Sequence, residues 1–325
     1  MSPQPADLNT DGPRLEAGPR TVHWGYFDAT LKPIREIASG ERITISTVSG
    51  RRDVIPPASF RIPAPLQDVL DNVEQPCPGH ICTGPLAVRG AKPGQVLEVQ
   101  IEAIALHYDW GYTAVRPKAG ALFDVVEEER LFFSRLNASR GVATLPWGQE
   151  VALRPFFGVM ATAPPPSWGR VSTLPPRTNG GNLDNKELVA GSTLYLPIHC
   201  EGALFSVGDG HGVQGDGEVC VTAIETGLIG TFTLRVRDDL DLTWPQAETP
   251  THVITMAFDE DLDHAVELAL AQMLDLLEAR TGLDRAQAYA LCSLVADVRV
   301  TQVVNGAKGI HVMLAKHDLE ACPAR

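Results

Sequence analysis

The sequence predicts a mainly β fold, antiparallel sheets in a sandwich or barrel core, with an α+β C-terminal portion and Gly-rich loops carrying the active site. Three observations point there. Stretches alternating apolar and polar residues recur along the chain, the period of a half-buried strand. Prolines crowd residues 141–175 and leave no room for long helices. Helical spacing with capping residues enters only after about residue 245.

In chain order, residues 1–20 are rich in Pro, Asp and Gly and are expected to form a mobile or draped arm. HWGYFDA follows, with Trp24, Tyr26 and Phe27 around one glycine, either a hydrophobic plug or the aromatic wall of a pocket. ERITISTVSG alternates Ile43, Ile45 and Thr47 against Thr44, Ser46 and Val48 and reads as a strand. Residues 50–95 are turn-rich and are expected to be ordered but irregular, with His80 held between glycine and prolines in PGHICTGP. VLEVQIEAIAL sets Leu97, Val99 and Ile101 on one face and Glu98, Gln100 and Glu102 on a solvated one. STLYLPI, VCVTAIE and GTFTLRVRD read as further strands, while FDVVEEERLFFS fits strand or helix. In the last part, Leu262, Val266, Ala269, Met273 and Leu277 mark a helix, and Asp284 N-caps a second. VRVTQVVNGAKGIHVMLAK reads as two strands about an Asn-Gly turn. The expected domains are residues 1–20, a catalytic β-rich 21–245, and 246–325 packed on it.

The balance of 27 basic to 40 acidic residues gives a net charge of -13, which argues against nucleic-acid and anionic-membrane partners. No apolar stretch approaches the roughly 20 residues of a membrane helix. Six scattered cysteines, without a CxxC pair, suit a cytoplasmic protein with free thiols. GxSxG, Walker A and HExxH patterns are missing.

The stretch with chemistry is 176–227. GGNLDNKE carries Asn182 and Asp184; GDGHGVQGDGE carries Asp209, His211, Asp216 and Glu218. Glycines allow positive φ and close backbone approach, and acids gathered there call for a cation. Imidazole and carboxylates together suit zinc or a similar divalent ion, whose water can attack an amide. Glu218 or Asp216 is the candidate to move that water's proton. The bland alternative is tight turns whose acids cap backbone amides.

HWGYFDA, GHICTGPLAVRGAKPGQVLEVQI, the run from GGNLDNKE through VTAIE, and DLDHAVELAL together resemble the acetamidase/formamidase family, collinearly from about residue 21. The resemblance implies a β-dominated fold, homodimers or larger assemblies, and hydrolysis of formamide or acetamide to carboxylate and ammonia. It also implies a divalent metal, zinc with calcium as a second ion, near GGNxD (Gly180, Gly181, Asn182, Asp184) and GDxHxxxGDGE (Gly208 to Glu218). The family match does not fix the division of roles; we assign His80, Asp184, Asp209 and His211 as metal ligands, Glu218 and Asp216 to catalysis, and Asn182, His23 and Trp24 to the substrate. The chain departs from the family at His199-Cys200-Glu201 and at Cys82, where packing or pocket tuning are the alternatives. A thiolate nucleophile at Cys200 or Cys220, another small C–N substrate such as a cyclic amide or carbamate, and a purely structural metal remain the rival readings.

Overall fold

The computed structural model describes residues 12–54 and 56–320. Part of the expected N-terminal arm (1–11) and Cys322 lie outside the described residues. Two open sheets make the core. One has nine strands, in the order Arg14–Leu15, Glu41–Ser46, Leu228–Arg237, Val96–Leu106, Thr193–Pro197, Gln246–Glu248, His252–Asp259, Lys308–Ala315 and Ala296–Gln302. The other has eleven, and at its heart Phe205–His211 runs between Ile81–Val88 and Phe156–Ala161. Neither sheet closes on itself, so of the expected alternatives the sandwich stands and the barrel does not. Among the described residues, all paired strands are antiparallel apart from Arg14–Leu15 on Glu41–Ser46 and Arg35–Ile37 on Ile81–Val88.

The alternation read from the sequence becomes the layer between the sheets. Ile43, Ile45, Leu97, Val99 and Phe232 of the nine-stranded sheet share one core with Leu86, Val88, Phe157, Met160 and Phe205 of the other. Phe157 and Phe205 approach the Phe232 ring at 5.4 and 6.1 Å between centroids. The outer face differs from expectation at Glu98, which is only 3% exposed. Strands lie on both sides of it, and Arg237 (2.5 Å) and Arg235 (3.3 Å) neutralise it there.

The two expected helices are Leu262–Arg280 and Arg285–Val295. The Asp261 side chain accepts from the amides of Asp263 and His264, and Asp284 closes a capping box with Gln287. Ala269, Met273 and Leu277 are fully buried against Val253, Ala257, Val312 and Leu314. The helices therefore cover one end of the nine-stranded sheet, which continues across residue 245 through Thr193–Pro197 and Gln246–Glu248. The Asn-Gly hairpin pairs Ala296–Gln302 with Lys308–Ala315 as read. In FDVVEEERLFFS only RLFFS is strand, the first part of Arg130–Asn137, and the residues before it lie in turns and bends.

Two local expectations fail. The turn-rich stretch 50–95 is not irregular throughout: Ala64–Asn72 is a helix seated by Leu66 and Val69, and Ile81–Val88 is a fully buried strand of the eleven-stranded sheet. VCVTAIE is strand only at its last residue, which opens Glu225–Thr226, because positive φ at Glu218 (42°) and Val221 (76°) turns the chain before it can extend. Among the described residues, no helix is long and apolar enough to cross a membrane.

Candidate active site

The strand Phe205–His211 ends in Asp209 and His211, and the chain just beyond Gly180–Asn182 carries Asp184. Both elements flank Phe156–Ala161, so Gly158 lies between the two aspartates. A Cβ built on Gly158 would sit 2.5 Å from Asp184 Oδ1, 2.5 Å from Asp209 Oδ2 and 2.9 Å from His211 Cε1. Only hydrogen fits there. The two Gly-rich loops thus meet over the floor of one centre.

His211 is its hub, with no exposed surface and the Phe156 ring edge-on at 5.0 Å. Its Nδ1 is 3.9 Å from Asp184 Oδ1; its Nε2 is 3.2 Å from Asp209 Oδ2 and 3.4 Å from Glu225 Oε1. His80, partly exposed, brings Nε2 to 3.8 Å from Asp209 Oδ2. Glu218 joins Asp184 and His211 in a triplet whose ligand atoms lie within 4.8 Å of one another. Asp209, His211 and Glu225 form a second such triplet.

Several atoms of these groups are buried and short of partners. Asp184 Oδ1, both ring nitrogens of His211, Glu218 Oε2, His80 Nδ1 and Asn182 Oδ1 are buried without a hydrogen bond. Asp184, Asp209 and Glu218 also hold positive φ (47°, 55° and 42°), a backbone cost of the kind found at functional sites. Burial pushes the Asp184 carboxyl up to about 6, against the pull of His211, with Asp209 adding to the rise. Burial and the neighbouring carboxylates raise Glu218 and Glu225 well above the usual carboxylate range. Burial also works on Asp209, but the imidazoles of His80 and His211 outweigh it and hold that carboxyl low. Despite its own burial, His211 is held strongly basic by Glu225 and Asp209. The orphaned atoms, converging from nitrogen and carboxylate donors, fit a divalent cation.

The centre opens on a cavity of about 690 Å³, walled by His80, Tyr112, Asn182, Asp209, Glu218 and Asn305, among others. Of the residues assigned from sequence, His80, Asp184, Asp209, His211 and Glu218 come together, and Asn182 stands at the cavity wall. Asp216 does not join them. It is bonded to Lys186 at 2.8 Å and borders a second, outer cavity. His23 and Trp24 also lie off the cavity lining, their polar atoms engaged elsewhere. The His23 Nδ1–H meets Tyr26 O at 2.7 Å, its Nε2 takes the Ser206 hydroxyl at 2.9 Å, and Trp24 Nε1 donates to Gly79 O. The HWGYFDA aromatics behave as a plug. The five described cysteines are free thiols, and burial raises Cys200, which disfavours a thiolate there.

Three contributors carry little local signal: Glu225 looks like the end of an ordinary strand, Gly158 like a glycine in an apolar run, and Asn305 like half of a turn. Glu225 is placed by pairing with His211 across the sheet and by the Ala223 amide at 3.0 Å on its Oε1.

A β-sandwich with a buried carboxylate–imidazole centre at the floor of a cavity is the class of protein that this architecture defines. The chain belongs to the acetamidase/formamidase family, whose family model matches residues 66–169 and 166–315. An acetamidase structure from Bacillus halodurans superposes with a TM-score of 0.83 at 29% identity, covering 95% of this chain and 99% of that one. Among curated relatives, a formamidase of Methylophilus methylotrophus is 28% identical over 55% of this chain and 59% of its own. An acetamidase of Mycolicibacterium smegmatis is 27% identical over 49% of this chain and 53% of its own. The chain thus spans little more than half the length of the curated relatives it matches.

Proposed function

We propose that this protein hydrolyses the C–N bond of a linear amide, with formamide and acetamide as first substrates, to carboxylate and ammonia. The observation that carries the reading is the convergence of Asp184 Oδ1, both His211 nitrogens and Glu218 Oε2 in one buried place without hydrogen bonds. His80, Asp184, Asp209 and His211 would hold a divalent ion, zinc first and calcium as a second, with Glu225 beside them. Such an ion supplies acidification of water and polarisation of a carbonyl.

The remaining work falls to the chain's own groups. Glu218 takes the proton of the attacking water and passes it to the leaving nitrogen, so that ammonia departs as the acyl carbon gains its new oxygen. Asn182 Oδ1, a buried acceptor without a partner, receives an N–H of the amide and orients it. Asn182 and Glu218 are only 3% and 6% exposed, a low-dielectric setting that strengthens both interactions. Asp216, tied to Lys186, anchors the loop that presents Glu218.

The cavity volume favours a second reading of the substrate. At about 690 Å³ it lies in the range that accepts drug-sized ligands, far more than acetamide fills. Larger linear amides therefore belong in the assay. A homodimer or larger assembly in the cytoplasm completes the reading. It is supported by the free thiols and by exposed Val298 on the outermost strand of the nine-stranded sheet, with exposed Tyr289 and Leu294 on the helix that precedes it.

Ammonia release should be followed across formamide, acetamide, propionamide and bulkier amides, before and after chelation and with zinc restored. Loss on chelation and recovery with zinc, the fold unchanged, is expected. Metal-replete protein that releases no ammonia from any amide would overturn the reading, and unfolding on chelation without any activity would favour a structural ion.

A further inference from the structure

The Asn-Gly turn joining the last two strands does more than reverse the chain. Its residues Val304, Asn305 and Gly306 form part of the cavity wall. Asn305 Nδ2 donates to Asp184 Oδ2 at 2.5 Å. We infer that Asn305 is a positioning residue for Asp184, so that the C-terminal hairpin completes a centre otherwise built by the two Gly-rich loops.

The turn is braced for that task. The fully buried Gln302 accepts from the amides of Val304 (2.9 Å) and Asn305 (3.1 Å) through Oε1 and donates to Ala307 O (2.7 Å) through Nε2. One side chain thereby holds the tip from both sides. The same hairpin clasps the other loop as well: Gly217 N meets Thr301 O at 3.0 Å, and Val303 N meets Gly217 O at 3.1 Å, beside Glu218.

An aspartate has two equivalent oxygens and a free χ2, so a buried one without partners has no single orientation. Engaging Oδ2 leaves Oδ1, which has no hydrogen bond, facing His211 across 3.9 Å. The donor's chemistry matters too. A neutral amide orients the carboxylate without cancelling the charge that a cation needs, whereas a lysine or arginine would compete with it. Gln214 Nε2 donates to Asp184 O at 2.8 Å, holding the backbone of this positive-φ residue but not its carboxylate. That second duty falls to Asn305.

The test compares wild type with Asn305→Leu, which removes the donor, and Asn305→Asp, which keeps the shape. Crystal structures of all three are expected to show the Asp184 carboxylate turned or spread over two orientations in the variants. Cobalt titration should show affinity roughly 10- to 100-fold weaker, and kcat should fall by a similar factor with KM within about twofold. An Asp184 carboxylate oriented as in wild type, with cobalt affinity within about twofold, overturns the inference. If Asn305→Leu does not fold, Asn305→Asp decides by the same criteria. The cobalt and kcat arms rest on the proposed function. A wild type that binds no cobalt would defeat that reading, while the orientation of Asp184 still judges Asn305.

Discussion

Two places in this molecule bury carboxylates, and they do it in opposite ways. Glu98, between strands of the nine-stranded sheet, has Arg237 on one oxygen and Arg235 with Gln100 (2.9 Å) on the other. Around His211, four carboxylates (Asp184, Asp209, Glu218 and Glu225) share two imidazoles, and Asp184 Oδ1, Glu218 Oε2 and both His211 nitrogens make no hydrogen bond. A buried charge that is answered atom by atom explains itself through folding. One left unanswered in a strained backbone needs a ligand to explain it.

The largest effect should come from Gly158→Ala. The added methyl falls within 2.5 Å of Asp184 Oδ1 and Asp209 Oδ2, so the two loops must part. Loss of bound metal and of ammonia release, by at least about 100-fold, is expected, with about 1–3 kcal/mol of stability lost to overpacking. Retained metal content would mean that the cluster does not converge as described.

Next, Glu218→Gln should lower kcat by roughly 10²- to 10⁴-fold and leave the melting temperature nearly unchanged. Asp216→Asn, which only weakens the pair with Lys186, should cost less than about tenfold. Equal losses in the two variants would erase the distinction drawn between the carboxylates.

Glu98→Leu should act the other way round. We expect about 2 kcal/mol of destabilisation by chemical denaturation, with metal binding untouched. The loss falls below the roughly 3–5 kcal/mol of a fully buried broken pair because both arginines reach solvent. If metal affinity fell with stability, the two carboxylate sites would be coupled.

The acid limb of stability sharpens the contrast for histidines. Burial lowers His23 from 6.5 to about 4, and its Nε2 is the acceptor for Ser206. A lowered histidine contributes stability in full above its unfolded value. The contribution is lost as pH falls from about 6.5 toward about 4, and amounts to about 3 kcal/mol. Denaturation of wild type and His23→Asn at pH 7 and pH 4.5 should show a much smaller acid loss in the variant; parallel curves would assign it elsewhere.

What the sequence by itself determined was local. Apolar alternation at Ile43, Ile45, Leu97, Val99 and Ile101 settled which strand faces turn inward, because a side-chain period of two reports the buried face directly. Asp284 and the Asn-Gly pair marked a helix start and a hairpin for equally local reasons. The glycine-dense loops around Asp184, Asp209, His211 and Glu218 were also readable, since acids beside permissive backbone are costly without a purpose. Only the tertiary structure decided the rest. Glu98 looks solvated until strands close over both its sides, and Trp24 and His23 look available until Gly79 and Ser206 take their polar atoms. Glu225, Gly158 and Asn305 reach the centre through pairing with strands and loops distant in sequence, and no residue's neighbours in the chain carry that information.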